Sequence, residues 1–304
     1  MFSGSVVTRP SVNVFASISN RTKSIELLTL LTGSVFLWWR PLASTLELAL
    51  TSDAYTHILL ILPLSSALIY QEIRANRVAP EIEIGRWVGV ILLSAALLWR
   101  GLNIWPWSSS TSLTLSMFAL VIWWIGSVIT CFGLESFRNL LFPLCILFLV
   151  VPFPYTVLNW ITEFLQHQSA IAAGILFHVA WVPVTRDGIM LSIPGLDIEV
   201  ARECSSIRSS MILIVITLVL AHLFLHSWWR RTLLVVAAIP LSVAKNAVRI
   251  FTIAELGARV DPTYLNGSLH HHGGIVFLTL ALVVDVLLVW ILRKGEFRTG
   301  TSRA

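Results

Sequence analysis

Long apolar runs recur along this chain, and they restrict its fold more than any other feature. About eight of them approach the length of a bilayer crossing, at 25–42, 57–70, 87–102, 113–132, 140–153, 207–225, 232–256 and 274–292. A soluble surface could not absorb them. Hydrophobic residues make up 56% of the 304 residues and charged residues only 12%, against about 25% charged in soluble domains. The mean hydropathy is +0.82. In hydrocarbon each backbone N–H and C=O needs a partner within the chain, so such runs fold as helices. The expected fold is therefore an all-α integral membrane protein with about eight transmembrane helices. Residues 1–24 read as a cytoplasmic tail, 25–292 as one polytopic domain and 293–304 as a second cytoplasmic tail. Residues 1–20 contain no long apolar block of the kind a cleavable signal peptide needs, so the spans themselves are expected to direct insertion.

The net charge of +5 is explained by where the basic residues fall, and it gives no reason to expect a nucleic-acid partner. With the N-terminus inside, the cytoplasmic segments hold Arg9, Arg21, Lys23, Arg74, Arg77, Arg86, Arg138, Arg230, Arg231, Arg293, Lys294, Arg298 and Arg303. The short outer loops near Thr51, Trp105 and Asp261 hold little beyond Arg259. This asymmetry follows the positive-inside rule and places both termini in the cytoplasm of an inner-membrane protein. Trp-rich positions such as Trp38, Trp39, Trp123, Trp124, Trp228 and Trp229 read as interfacial belts.

Residues 154–204 differ from the rest. Asn159, Glu163, Gln166, His167 and Gln168 give one polar face, and Trp160, Ile161, Phe164, Leu165, Ile171 and Ile175 an apolar one. That pattern predicts an interfacial or re-entrant amphipathic helix. Asp187-Gly188 and Pro194-Gly195 then mark turns between β-prone runs, so a short outer β-hairpin or an ordinary external loop follows.

Three distant features share one predicted depth, the outer membrane–water boundary. Cys204 lies in Glu203-Cys204-Ser205-Ser206-Ile207-Arg208-Ser209-Ser210, where the outer loop enters the sixth run. Arg249 lies near the outer end of the seventh, and His270 in the His270-His271-His272-Gly273-Gly274 stretch heading the eighth. A thiolate is nucleophilic, and a helix N-terminus with Arg202 and Arg208 nearby favours it, while Glu203 opposes it in part. A histidine can take the thiol proton and return it to a leaving amine. An arginine offers a charged fork for an oxyanion or for the substrate. Each has a plainer reading too. A cysteine packs well in helices, Arg249 could snorkel with Lys245 one turn away, and the histidines could form a metal site or a solvated cap. No His-Glu-x-x-His pattern or flanking cysteine pair accompanies them, so neither metal nor cofactor is expected. Cys131 and Cys145, the other two of three cysteines, have no such company.

These motifs resemble those of the exosortase/archaeosortase family. The Cys204 stretch is similar to the family's cysteine motif, with Ser206 where a small residue, often glycine, stands. Asn246-Ala247-Val248-Arg249-Ile250 is similar to its Asn-x-x-Arg-Ile motif, and 269–277 to its His-then-Gly motif, with His270 the better match to the spacing and His271 next. Tyr55-Thr56-His57 and Pro152-Phe153-Pro154 resemble lesser landmarks, and the likeness covers roughly 25–292. It implies a cysteine transpeptidase or protease of about eight transmembrane helices, acting on exported proteins with a C-terminal signal helix of the PEP-CTERM kind. An unidentified acceptor nucleophile would resolve the thioester, often in organisms that make exopolysaccharide. Cys204, Arg249 and His270 would be catalytic, with Glu203, Arg208, Asn246 and His271 supporting them or touching substrate. The competing reading is a transporter or a non-catalytic membrane component of exopolysaccharide export.

Overall fold

The structure, a computed structural model, describes residues 11–74, 85–102, 109–200, 207–261, 263 and 268–300. The chain divides into two compact units, Met1–Thr51 with Ile58–Pro154, and Ser52–His57 with Tyr155–Ala304.

Almost all of it is helical. The first unit holds α1 (Ser11–Leu37), α2 (Trp39–Thr51), α3 (Ile58–Arg74), α4 (Arg86–Leu102), α5 (Ser109–Asn139) and the short α6 (Leu141–Ile146). Among the described residues, five segments are long and apolar enough to cross a membrane: Asp53–Glu72, Ser110–Asn139, Ile207–Phe224, Trp228–Arg259 and Gly274–Glu296. A sixth is added if the helices before and after Pro152 and Pro154 count as one broken span. This is a smaller number than the eight expected, and each shortfall has a local cause.

The run 25–42 is broken between α1 and α2 at Trp38. Pro41 lacks the N–H that would continue the ladder, and its ring crowds the carbonyl four residues back. The run 87–102 becomes α4, of 17 residues. The run 140–153 contains Pro143 and yields six residues of α-helix and a four-residue 3₁₀ turn, Leu147–Val150.

Two devices hold the first unit together. Glycines let α4 and α5 approach closely: a Cβ on Gly89 would stand 2.6 Å from the Thr130 nitrogen and 2.8 Å from the Gly126 carbonyl oxygen. Small residues serve this purpose in membranes, where packing rather than water exclusion drives helix association. Indoles tie α1 to α5. Trp123 Nε1 donates to the Leu30 carbonyl at 3.1 Å and Trp124 Nε1 to Ser34 Oγ at 3.0 Å. Trp38 is wholly buried, its ring 5.6 Å from that of Trp123. These three tryptophans bind helix to helix, which corrects their reading as a belt. The exposed Trp39, Trp228 and Trp229 remain compatible with one.

The second unit contains α7 (Tyr155–Val179), a small sheet, α8 (Ile207–Phe224), α9 (Trp228–Arg259) and α10 (Ser268–Gly300). Helix α7 agrees with the amphipathic reading in part: Glu163 and His167 are exposed, but Gln166 of the polar face is buried, as is Leu165 of the apolar one. Gln166, Ser169, Ala170, Ala173, Gly174 and Phe177 are buried, whereas Trp160, Phe164, Ile171 and Ile175 are exposed. Small and polar residues permit close packing inside, and the bulky apolar ones face outward, as a lipid-facing helix requires. The loop that could hold one hairpin forms three antiparallel strands, β1 (Thr185–Asp187), β2 (Met190–Ile193) and β3 (Leu196–Glu199), in the order β1-β2-β3. Asp187 pairs with Met190 across Gly188, and Ile193 with Leu196 across Pro194-Gly195. Gly188 and Gly195 have φ of 60° and 85°, which both tight turns need and other residues resist. Leu191 and Ile193 of β2 pack into a core with Ala170, Ala173 and Phe177 of α7 and Ala247, Ile250 and Ala254 of α9.

At the opposite end of α9, Glu296 of α10 accepts the backbone N–H of Ser227 at 2.8 Å and of His226 at 3.1 Å. Arg231 Nε donates to the Leu225 carbonyl at 2.7 Å. The end of α8, the start of α9 and the end of α10 are thereby held together, and the basic residues Arg230, Arg231, Arg293 and Lys294 gather at that end. Deeper inside, Thr217 Oγ1 of α8 lies 2.9 Å from Asp285 Oδ2 of α10.

Candidate active site

Helix α9 turns a polar stripe inward. Ser242, Lys245, Asn246, Arg249, Ile250 and Ile253 are all buried, the spacing of one helix face. Lys245 and Arg249 lie one turn apart on it, with relative exposures of 6% and 9%. An arginine inside a span costs about 2.5–3.5 kcal/mol to insert, so a buried pair of cations is an expensive arrangement to keep.

The neighbours of that stripe come from α7 and from the first turn of α8. Lys245 Nζ donates to Ser209 Oγ, and Ser210 Oγ lies 3.4 Å from it. Asn246 Nδ2 donates to Ser169 Oγ of α7 at 2.9 Å. One turn earlier on α7, Gln166 Nε2 donates to the Val200 carbonyl at 2.9 Å, and the Val200 N–H donates to Ile189 at 3.0 Å. Val200 is thus fixed from both sides, directly before residues 201–206.

The level of the cluster follows from helix geometry. Trp228 to Lys245 is 17 residues of α9, a rise of about 25 Å, close to the roughly 30 Å of a hydrocarbon core. Helix α8 returns over a similar length, since Ile207–Phe224 is 18 residues. Lys245 is therefore level with the head of α8. The remainder of α9, to Arg259, runs past the head of α8 and packs against α7 and the sheet.

Of the seven site residues read from the sequence, Asn246 and Arg249 belong to this buried cluster. Arg208 does not turn inward. It sits at the same helix head but forms an ion pair with Asp53 at 3.1 Å, both side chains largely exposed, in a setting where such pairs contribute little. Cys204 and Glu203 lie outside the described residues. The backbone of His270 and His271 falls in the first turn of α10, and their side chains lie outside what is described. Among the described residues no group of three or more His, Cys, Asp or Glu is placed to hold a metal.

Four members of the cluster were not singled out by sequence: Gln166, Ser169, Ser209 and Lys245. The signal for α7 was present as Gln166, Ser169, Ala170, Ala173 and Phe177 at helical spacing, but the bulky residues outweighed it. Lys245 was read only as a companion for a snorkelling Arg249, and Ser209 only as part of a motif.

Fold and cluster together define a class: a multi-pass membrane protein with a buried, cation-rich polar site between three helices. The match to known families narrows it. The model of the transmembrane exosortase family matches residues 38–287, and the chain belongs to that family. The matched span includes the Cys204 stretch, Asn246 to Ile250 and the histidine stretch. No curated protein and no solved structure matches the chain. Membership gives a membrane sorting transpeptidase in general, with exported proteins as substrates.

Proposed function

We infer that the chain cleaves C-terminal signals of the PEP-CTERM kind from exported proteins through a Cys204 thioester, at the outer face of the inner membrane with both termini cytoplasmic. The observation that supports this reading is the burial of Arg249 and Asn246 on the face of α9 whose Lys245 meets Ser209 in the first turn of α8, the helix that begins three residues after Cys204.

In this mechanism the Cys204 thiolate adds to a substrate carbonyl, and the electron pair of the C=O moves to oxygen. Arg249 stabilises that oxyanion with its charged fork. His270 takes the thiol proton and delivers it to the amine as the C–N bond breaks, leaving the acyl group on sulfur. An amine, another nucleophile or water then attacks the thioester, releases the thiol and ends the cycle. Asn246, held by Ser169, keeps the Arg249 turn of α9 in place. Glu203 and His271 support the nucleophile and the base.

The test is co-expression of an exported substrate bearing such a signal with the wild-type protein and with Cys204→Ala, reading the substrate C-terminus by mass spectrometry. Processing by the wild type alone is expected, and any added mass identifies the acceptor. Equal processing by both removes Cys204 as nucleophile. No processing by correctly inserted wild type favours the non-catalytic export component.

A further inference from the structure

Among the described residues Lys245 has no counter-charge. Its Nζ meets two hydroxyls, Ser209 and Ser210, and no carboxylate lies within 4 Å of it among the described residues. The nearest charged group on its own helix face is Arg249, one turn away and of the same sign. An ammonium has three N–H donors, and the two serines accept at most two. A buried ammonium with a like-charged neighbour is disfavoured unless it gives up its proton or an anion meets it. The fold keeps this cation at the head of α8, about 25 Å along α9 from its Trp228 end.

We propose that Lys245 is a specificity-determining residue that receives a carboxylate side chain of the peptide substrate. This deepens the peptide-processing reading and rests on it. The position specifies the ligand's chemistry. With Trp228 at one membrane surface Lys245 comes near the other, so the carboxylate must directly flank an apolar segment that occupies the bilayer. The arrangement also separates this anion from a lipid phosphate. A headgroup reaches side chains on the lipid-facing surface, whereas Lys245 points inward with Ser209, Ser210 and Asn246, all buried. Two hydroxyls orient the amine without neutralising it, so an entering carboxylate gains a charge-assisted hydrogen bond that a neutral amide cannot match.

Full-length Cys204→Ala protein in nanodiscs is titrated with a fluorescent peptide of about 20 apolar residues ending in a single glutamate at its outer end, and with a glutamine twin. The glutamate peptide is expected to bind about tenfold more tightly. Adding Lys245→Met should remove that difference while leaving the affinity for the glutamine peptide unchanged, and Lys245→Arg should retain it. The proposal is overturned by equal binding of the two peptides to the Lys245 protein, by persistence of the difference in Lys245→Met, or by a loss that weakens both peptides alike. A preference that appears only with anionic lipid would assign Lys245 to the membrane and overturn it as well. If Lys245→Met does not fold, Lys245→Gln decides on the same criteria. Cleavage of the glutamate substrate by wild type but not by Cys204→Ala reports separately on the peptidase reading, so either idea can fail while the other stands.

Discussion

Glu296 on α10 caps the first turn of α9 by accepting the backbone N–H of Ser227 at 2.8 Å, 69 residues away in sequence. Ser227 itself occupies the N-cap position and makes no side-chain cap bond. The same carboxylate stands 3.9 Å from the buried Arg230. Glu296→Ala is therefore expected to destabilise the protein by about 1–2 kcal/mol, as loss of an N-cap does. Thermal unfolding in nanodiscs measures it, and an unchanged midpoint would mean water replaces the cap.

The approach of α4 to α5 predicts a steep dependence on side-chain size. Gly89→Ala places a methyl 2.6 Å from the Thr130 nitrogen and 2.8 Å from the Gly126 oxygen, and overpacking of this kind costs about 1–3 kcal/mol. Gly33→Ala in α1 meets nothing within 4 Å and is expected to be neutral or slightly stabilising. Resistance of the folded protein to unfolding in detergent should rank wild type and Gly33→Ala above Gly89→Ala.

Two arginines near the head of α8 should behave oppositely. Arg249→Lys keeps the charge and loses the fork, so processing should fall about 10²–10³-fold if the fork stabilises an oxyanion. Arg208→Ala breaks only an exposed pair with Asp53 and should change stability by less than about 1 kcal/mol. Substrate cleavage in cells, normalised to the amount of folded protein, compares them. Equal losses would place Arg208 in the chemistry.

The Asn246–Ser169 bond links α9 to α7 at 2.9 Å between buried side chains. A double-mutant cycle with Asn246→Ala and Ser169→Ala should give a coupling of about 0.5–1.5 kcal/mol. Additive effects would show that the two residues contribute independently.

Two members of the cluster were legible because the membrane makes polar residues conspicuous. Asn246 and Arg249 stood out in an apolar run, where a polar side chain has to earn its position by facing inward. Basic residues likewise marked the end where α8, α9 and α10 meet. What could not be read was pairing across long separations. Nothing local distinguishes Trp38, wholly buried, from Trp39, exposed, because the difference lies in α5. The inward face of α7 was not legible because its buried residues, Gln166, Ser169, Ala170 and Ala173, are small or polar and do not look like a core. The breaks at Trp38 and after Val150 follow from Pro41 and from Pro152, which holds Val151 extended, and both were weaker signals than the hydropathy around them.

One helix carries both the tie at Arg230 and the cations Lys245 and Arg249. Its residue count therefore works as a caliper, setting the height of the site above the opposite face. A single residue inserted between them would raise the upper part by about 1.5 Å and swing it through about 100°, turning Lys245 away from Ser209 and Asn246 away from Ser169 together. Height and orientation of the site cannot be changed separately, so length variation in this segment has to come in whole turns or not at all.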